Sequence, residues 1–392
     1  MESFETALTE ATNPATRDLL GAIGLVVDGS GKHLYNHAAG QRSLASYASS
    51  PDLDSIVTLG SAGKFITHIA ALQFIDSGKL TLDEPLSKWV PELDRLQVIE
   101  ADDVEAGFKL RPAKDKITLR HLLTHTSGIS GGDSALVEKW EASPAAAAQT
   151  VDPKAHPIVQ RFSQPLLFDP GAGYCYGNSV VWTVLLISRL SDGQSLSDCL
   201  KEHVFAPLEM DASSFAPQAH PERLLQMVRR TDAGLVAVEP SPDMACSMRD
   251  LGKLFADLLK PAPTILRPET VDLLFAPQFA PGDQPLKDLR GDTENYAAPA
   301  GVLPGSAPEV NWTLAGLLVE GDMALPLSGM PPGTVTWNGM PNIAWAMNRE
   351  RGVGMLFATQ LVPVDDDKAV AVMMKFFLGA WETFGNGKSA EI

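Results

Sequence analysis

Strand-like sequence lies near both ends of this chain, and that distribution restricts the fold more than any other feature. Near the start, Ala22-Ile23-Gly24-Leu25-Val26-Val27 and the stretch Lys32 to Ala38 flank the turn sequence Asp28-Gly29-Ser30-Gly31, which reads as a β-hairpin. Near the end, strand patterns return at Trp312 to Val319, Gly333 to Trp337, Ile343 to Met347 and Val353 to Ala358. Between them, from about Thr81 to Pro281, the chain is helical and loop-like with many prolines. Such a chain is expected to be α+β: one antiparallel sheet built from both chain ends and flanked by helices, with a large, mostly helical insert lobe. The expected bounds are 1–90 plus 300–392 for the sheet lobe and 91–299 for the helical lobe, with the active site in the cleft between them.

Helical periodicity places Ser61 at the entrance of a helix. Phe65, Ile69, Leu72 and Ile75/Asp76 recur at helical spacing and Gly78 supplies the stop. Further helices are expected from Met1 to Leu20, over Ile117 to Leu123 with Thr118 as its cap, from Asn178 to Leu190, from Asp250 to Leu259, and from Ala369 to Phe384. The Pro/Gly/Asp-rich stretch Ala276 to Asp292 reads as a long surface loop.

Charge narrows the function classes. With 31 basic against 48 acidic residues, the formal charge is −17. That field repels phosphate backbones and anionic lipid surfaces, so neither nucleic acid nor membrane is an expected partner. Three cysteines, Cys175, Cys199 and Cys246, with no C-x-x-C, argue against a disulfide framework and for a reducing compartment. No basic-then-apolar leader is visible, and no charge-free apolar run of about 18 residues occurs. A cytoplasmic protein is expected, and the sequon Asn311-Trp312-Thr313 reads as accidental.

Three short motifs could carry chemistry. In Ser61-Ala62-Gly63-Lys64, residues three apart share a helix face. A lysine there can stabilise a serine alkoxide or, as the neutral amine, take its proton, while the helix N-terminus favours an oxyanion. The motif fits equally a helix cap with a solvated lysine. In Tyr176-Gly177-Asn178, preceded by Asp169-Pro170-Gly171, the tyrosine can act as a general base and Asn178 can orient the lysine or meet a substrate amide or ester. A buried aromatic followed by a helix cap explains the same residues. In Trp337-Asn338-Gly339-Met340, a strand can supply a second oxyanion N–H from Met340, with a glycine admitting close approach. A core tryptophan in a turn is the alternative. His121 and His125 are four apart but have no third ligand and no H-E-x-x-H, so packing or capping is the expected role. Cys175 reads as an ordinary buried thiol.

Order and context make these motifs specific. Together with Thr118-Leu119-Arg120-His121-Leu122-Leu123-Thr124-His125-Thr126-Ser127-Gly128-Ile129 and the stretches LGSAGKF at Leu59 to Phe65, PGAGYCYGN at Pro170 to Asn178 and FAPLEM at Phe205 to Met210, the chain resembles the serine β-lactamase-like family. That family includes class C β-lactamases, D,D-peptidases, family VIII esterases and the fungal lovastatin-type acyltransferases (transesterases). The likeness is greatest to the last group, through Thr270 to Pro277 and Trp337 to Pro363. The resemblance implies a β-lactamase/transpeptidase-like fold, Ser61 as nucleophile, Lys64 and Tyr176 as its proton-handling partners, and the N–H groups of Ser61 and Met340 as oxyanion hole. Asn178, Trp337, Asn338 and Gly339 would line the substrate, with no cofactor and no metal. Two departures stand out. β-Lactamases and peptidases carry a basic residue where Trp337 stands, which turns the expectation away from β-lactams and towards an apolar or neutral acyl group. Pro242 to Arg249 also lacks the glycine-rich segment common before the helix at Asp250.

The expected activity is acyl transfer, in secondary-metabolite (polyketide) biosynthesis, from a small-molecule thioester or ester donor, free or carrier-protein-bound, through a Ser61 acyl-enzyme to an alcohol. Hydrolysis of esters, thioesters or lactones by the same residues is the alternative, differing in how water is excluded. A non-catalytic binding protein that kept the fold is a third reading. An α/β-hydrolase is set aside on the expectation that no G-x-S-x-G is present, and nicotinamide and P-loop enzymes because their glycine signatures are missing.

Overall fold

A computed structural model describes residues 1–100, 108–131, 134–148, 151–239, 243–293, 296, 308–321 and 328–385. The chain forms two compact units, one of residues 1–65, 200–276 and 293–392, the other of 66–199 and 277–292.

The first unit is organised by a seven-stranded antiparallel sheet. Its strands are β1 (Gly21–Asp28), β2 (His33–Gly40), β3 (Val310–Trp312), β4 (Leu317–Val319), β5 (Val335–Gly339), β6 (Ile343–Asn348) and β7 (Val353–Ala358), in the order β2-β1-β7-β6-β5-β4-β3. The two chain ends therefore meet in mid-sheet, where Leu25 of β1 pairs with Leu356 of β7. β1, β6 and β7 are buried on both faces, which explains their nearly unbroken apolar sequences. One face packs on helices Glu2–Ala11 and Asp367–Phe384. Phe4, Phe357 and Phe376 meet there in edge-on or tilted contacts. Gly24 lies against the Phe4 and Phe376 rings, where a side chain would collide. The other face packs on helix Met248–Leu259, whose Phe255 sits over Gly354.

Several expectations need correction. The N-terminal helix stops at Ala11 rather than Leu20, because Pro14 excludes helical geometry at Asn13 and removes a donor. The expected single strand from Trp312 to Val319 is a hairpin, β3–β4, because Thr313 closes a turn: its N–H donates to Gly316 O at 2.8 Å, and its hydroxyl accepts from the Ala315 and Gly316 N–H groups. The stretch from Thr81 to Pro281 also holds short strands at Gln97–Glu100, Lys109–Pro112, Val228–Thr231, Gly234–Ala237 and Ala245–Ser247. Asn311 of the sequon is 2% exposed.

In the second unit, helix Ser179–Leu190 buries Trp182, Leu186 and Ile187 completely and packs on helix Leu119–Leu123. The Trp182 indole N–H donates to Phe162 O at 3.2 Å. Thr118 caps Leu119–Leu123 as expected, and His121 completes a reciprocal capping box. The stretch expected as a loop, Ala276 to Asp292, carries a helix over Gln284–Gly291, because Leu286 and Leu289, three apart, both find burial. Among the described residues, no helix is long and apolar enough to cross a membrane.

Candidate active site

Ser61 stands in a tight 3₁₀ turn, Gly60–Gly63, that runs into helix Lys64–Asp76. Several bonds fix that turn. The side chain of Gln360, 2% exposed, clamps Thr58 on both sides: its Oε1 accepts from the Thr58 N–H at 2.9 Å and its Nε2 donates to Thr58 O at 3.0 Å. Leu59 N–H donates to Met244 O at 2.9 Å. Gly60 turns through a positive φ of 55°, a left-handed conformation that favours glycine. The Trp345 indole N–H donates to Ala62 O at 3.0 Å, and Trp345, Phe65 and Phe255 form a buried ring triangle beside the first helical turn.

Lys64 Nζ donates to Ser61 Oγ at 2.6 Å. This short, charge-assisted contact is what S-x-x-K spacing on a helix entrance predicts. Both residues are half-buried. The third motif meets the same turn. Gly339 lies against Leu59 O and Ala62 N, and the Met340 amide nitrogen lies beside Gly60. A carbonyl oxygen seated against this turn would therefore find backbone donors close by. Trp337 pairs with Trp345 across the β5–β6 ladder and stacks edge-on against Trp312 with ring centroids 4.8 Å apart. At 4% exposure it offers an apolar wall and no charge. Asn338 is half-buried, and Met340 is exposed.

Tyr176 and Asn178 belong to the second unit. Their loop is laced to the 126–131 segment: Thr126 O accepts from Gly171 N–H at 2.7 Å, Gly128 O from Leu167 N–H at 2.8 Å and Ser130 O from Asn178 N–H at 3.1 Å. His125 does more than the packing expected of it. Its carbonyl accepts from Cys175 N–H at 2.9 Å, its Nδ1 accepts from Gly177 N–H at 3.3 Å, and its ring lies 4.5 Å from the Tyr176 ring. These bonds hold a positive φ of 58°, a strained value for a histidine. Asn178 occupies the N-cap position of Ser179–Leu190 but makes no side-chain capping bond, so the capping explanation of that residue fails. Cys175 is half-buried, its thiol facing Tyr176 O.

The G-x-S-x-G pattern expected to be missing does occur, at Gly128-Ile129-Ser130-Gly131-Gly132. Ser130 is nevertheless 7% exposed, its hydroxyl donates to Gly131 O, and no strand precedes it, so it is no nucleophile elbow.

Asp243 was missed in the sequence. It is half-buried just before strand Ala245–Ser247, and its carboxylate accepts from the Met244 N–H at 2.7 Å. Burial raises its carboxyl above the ordinary aspartate value, and the Met244 bond and the charge of Lys64 oppose the rise. Its only signal was the glycine-poor 242–249 segment, which gave no hint of a role.

The antiparallel sheet with its covering helices and helix-entrance serine defines a β-lactamase/transpeptidase-like protein. The Beta-lactamase family matches residues 8–374, and the chain belongs to it. It is similar to acyltransferase calJ of Penicillium decumbens, 32% identical over 374 residues that cover 90% of this chain and 87% of that protein. It is also similar to lovastatin esterase of Penicillium rubens, 30% identical over 380 residues covering 90% and 92%. Unliganded simvastatin synthase from Aspergillus terreus has a similar structure, with a TM-score of 0.84 at 27% identity over 98% of this chain and 99% of that one.

Proposed function

We propose that this protein is a serine acyltransferase in which Ser61 carries the acyl group. The observation that carries the reading is the 2.6 Å contact of Lys64 Nζ with Ser61 Oγ on a turn braced by Gly339. Ser61 Oγ attacks the carbonyl carbon of a thioester or ester, its proton passes to Lys64 and Tyr176, and the thiol or alcohol leaves with a proton. An alcohol then attacks the acyl-enzyme carbonyl and gives its proton to the same pair, the bond from Ser61 Oγ to the acyl carbon breaks, Oγ takes that proton back, and the new ester departs. The N–H groups of Ser61 and Met340 serve the oxyanion in both halves. Asn178, Asn338 and the Trp337 wall orient an apolar or neutral acyl group. A wall without a cation suits such a group and gives a β-lactam carboxylate no partner. The names acyltransferase and simvastatin synthase among its relatives support acyl transfer to an alcohol of a polyketide-type secondary metabolite. The donor is a small acyl thioester, free or on a carrier protein. No disulfide links Cys175, Cys199 and Cys246, which suits the cytoplasm.

Hydrolysis is the second reading, supported by the likeness to lovastatin esterase. The two separate by partition. With an acyl thioester and a graded series of alcohols, acyl transfer predicts that ester replaces free acid as alcohol rises while thiol release continues. Free acid as the main product at every alcohol concentration would replace transfer with hydrolysis.

A further inference from the structure

Asn342 ends the loop Met340-Pro341-Asn342 that joins β5 to β6, beyond the last pair of that ladder, Gly339 with Ile343. It holds a positive φ of 53°, a conformation in which glycine is the usual residue and asparagine is tolerated. An asparagine there adds an amide, and this amide is used. Asn342 is 3% exposed, and its Nδ2 donates to Leu361 O at 2.8 Å and to Pro363 O at 2.7 Å. The main-chain bonds from the loop to the same segment are longer: Leu361 N–H donates to Pro341 O at 3.3 Å and Thr359 N–H to Asn342 O at 3.4 Å. The two side-chain bonds are therefore the tighter tie. The segment they grip is itself fixed. Gln360 O accepts from Val228 N–H at 2.8 Å, and Leu361 and Val362 pair in parallel with Val228 and Arg229. From that segment the Gln360 side chain clamps Thr58, on the strand that leads to Ser61, by two bonds. Residues 359–363 thus bridge the loop that carries Met340 and the approach to Ser61.

We propose that Asn342 is a positioning residue for the oxyanion hole: by fixing the 340–342 loop to the 359–363 bridge, its amide sets where the Met340 N–H stands relative to the Ser61 N–H. This rests on the reading of Ser61 as nucleophile and of those two N–H groups as the oxyanion donors. When Ser61 Oγ adds to the carbonyl carbon, the π pair moves onto the carbonyl oxygen, and two donors stabilise that charge best when both reach it together. The Asn342 amide bonds go to Leu361 and Pro363. Removing it loosens one donor and leaves the contact of Lys64 with Ser61 as it is.

The test compares two donors at Ser61: p-nitrophenyl acetate and its thiono analogue, in which sulfur replaces the carbonyl oxygen. The anion that develops on sulfur is larger and a weaker acceptor, so it gains little from a hole built for oxygen. Release of p-nitrophenolate is followed with enzyme in excess, so that only acylation is read, for wild type, Asn342→Gly and Asn342→Ala. Ser61→Ala is the blank, and alkaline hydrolysis of the two esters is the reference. The ester-to-thionoester rate ratio cancels the folded fraction and any loss in proton transfer, so a destabilised variant still reports. Glycine keeps the backbone conformation and removes only the amide. The wild-type ratio should exceed the reference by about 10²-fold. Asn342→Gly should lower it about tenfold, and Asn342→Ala at least as far. A ratio in Asn342→Gly within about twofold of wild type, well short of the loss expected for a displaced donor, overturns the proposal. So does a fall confined to Asn342→Ala, because backbone conformation rather than the amide then sets the hole. A wild-type ratio no higher than the reference is a different failure, which removes the oxyanion donors themselves, and equal release by Ser61→Ala removes Ser61 as nucleophile.

Discussion

Gly339→Ala is the most direct structural perturbation of the Ser61 turn. A Cβ at this position would lie 2.0 Å from Leu59 O and 3.1 Å from Ala62 N, while real Cβ contacts do not fall below 3.0 Å. The strand and turn must therefore separate by about 1 Å. Both contacts are main chain, so no side chain can rotate away to absorb the change. The turn carries Ser61 and the strand leads into Met340, so their separation opens the space in which the proposed oxyanion donors converge. Misplacement of reacting groups by about 1 Å can cost about 10²-fold in rate, and overpacking costs about 1–3 kcal/mol of stability. Single-turnover acylation of Ser61 should fall about 100-fold in Gly339→Ala, with the variant still folded by circular dichroism. Acylation within about threefold of wild type, well short of the loss expected for such a displacement, would refute this account of the turn.

Two other perturbations test the framework. Gln360→Leu leaves the Thr58 N–H and C=O buried without the amide that clamps them; at about 1–3 kcal/mol per orphaned group, urea unfolding should show a loss of about 2–6 kcal/mol, and an unchanged midpoint contradicts the clamp. In the second unit, Arg111, which donates to both oxygens of Asp169, and the Lys114 N–H hold that carboxyl well below its ordinary range, against the opposing effect of burial. A lowered folded value means the stabilisation is complete above the unfolded value of about 3.9 and fades as pH falls from there. The stability difference between wild type and Asp169→Asn should therefore be flat from pH 7 to about 5 and shrink below about 4. A difference of constant size down to about pH 3 contradicts the pairing.

Much of this was legible in the sequence because it is local. The hairpin around Asp28 to Gly31, the helix entrance at Ser61 and the Thr118 cap each follow from a few adjacent residues, and the structure has all three. The distance from Lys64 to Ser61 was readable because helical spacing alone sets it. What failed had non-local or competing causes. Leu286 and Leu289 form a helix inside a stretch rich in breakers because burial outweighs composition. The break at Thr313 was hidden inside an apolar run, since the turn depends on one hydroxyl that accepts from two N–H groups. The bracing by Gln360 and Trp345 joins residues about 300 positions apart, and no periodicity encodes such a pairing. Asp243 was hidden for the same reason, and His125 was recognisable as structural but not as a brace for Tyr176.

The central claim is that Ser61 takes the acyl group. Intact mass of the protein after incubation with a short-chain acyl thioester, beside Ser61→Ala, measures it directly. The account predicts one acyl adduct on the wild type, located by peptide mapping to Ser61, and none on the variant. An equal adduct on Ser61→Ala, or none on the wild type together with no thioester turnover, contradicts it.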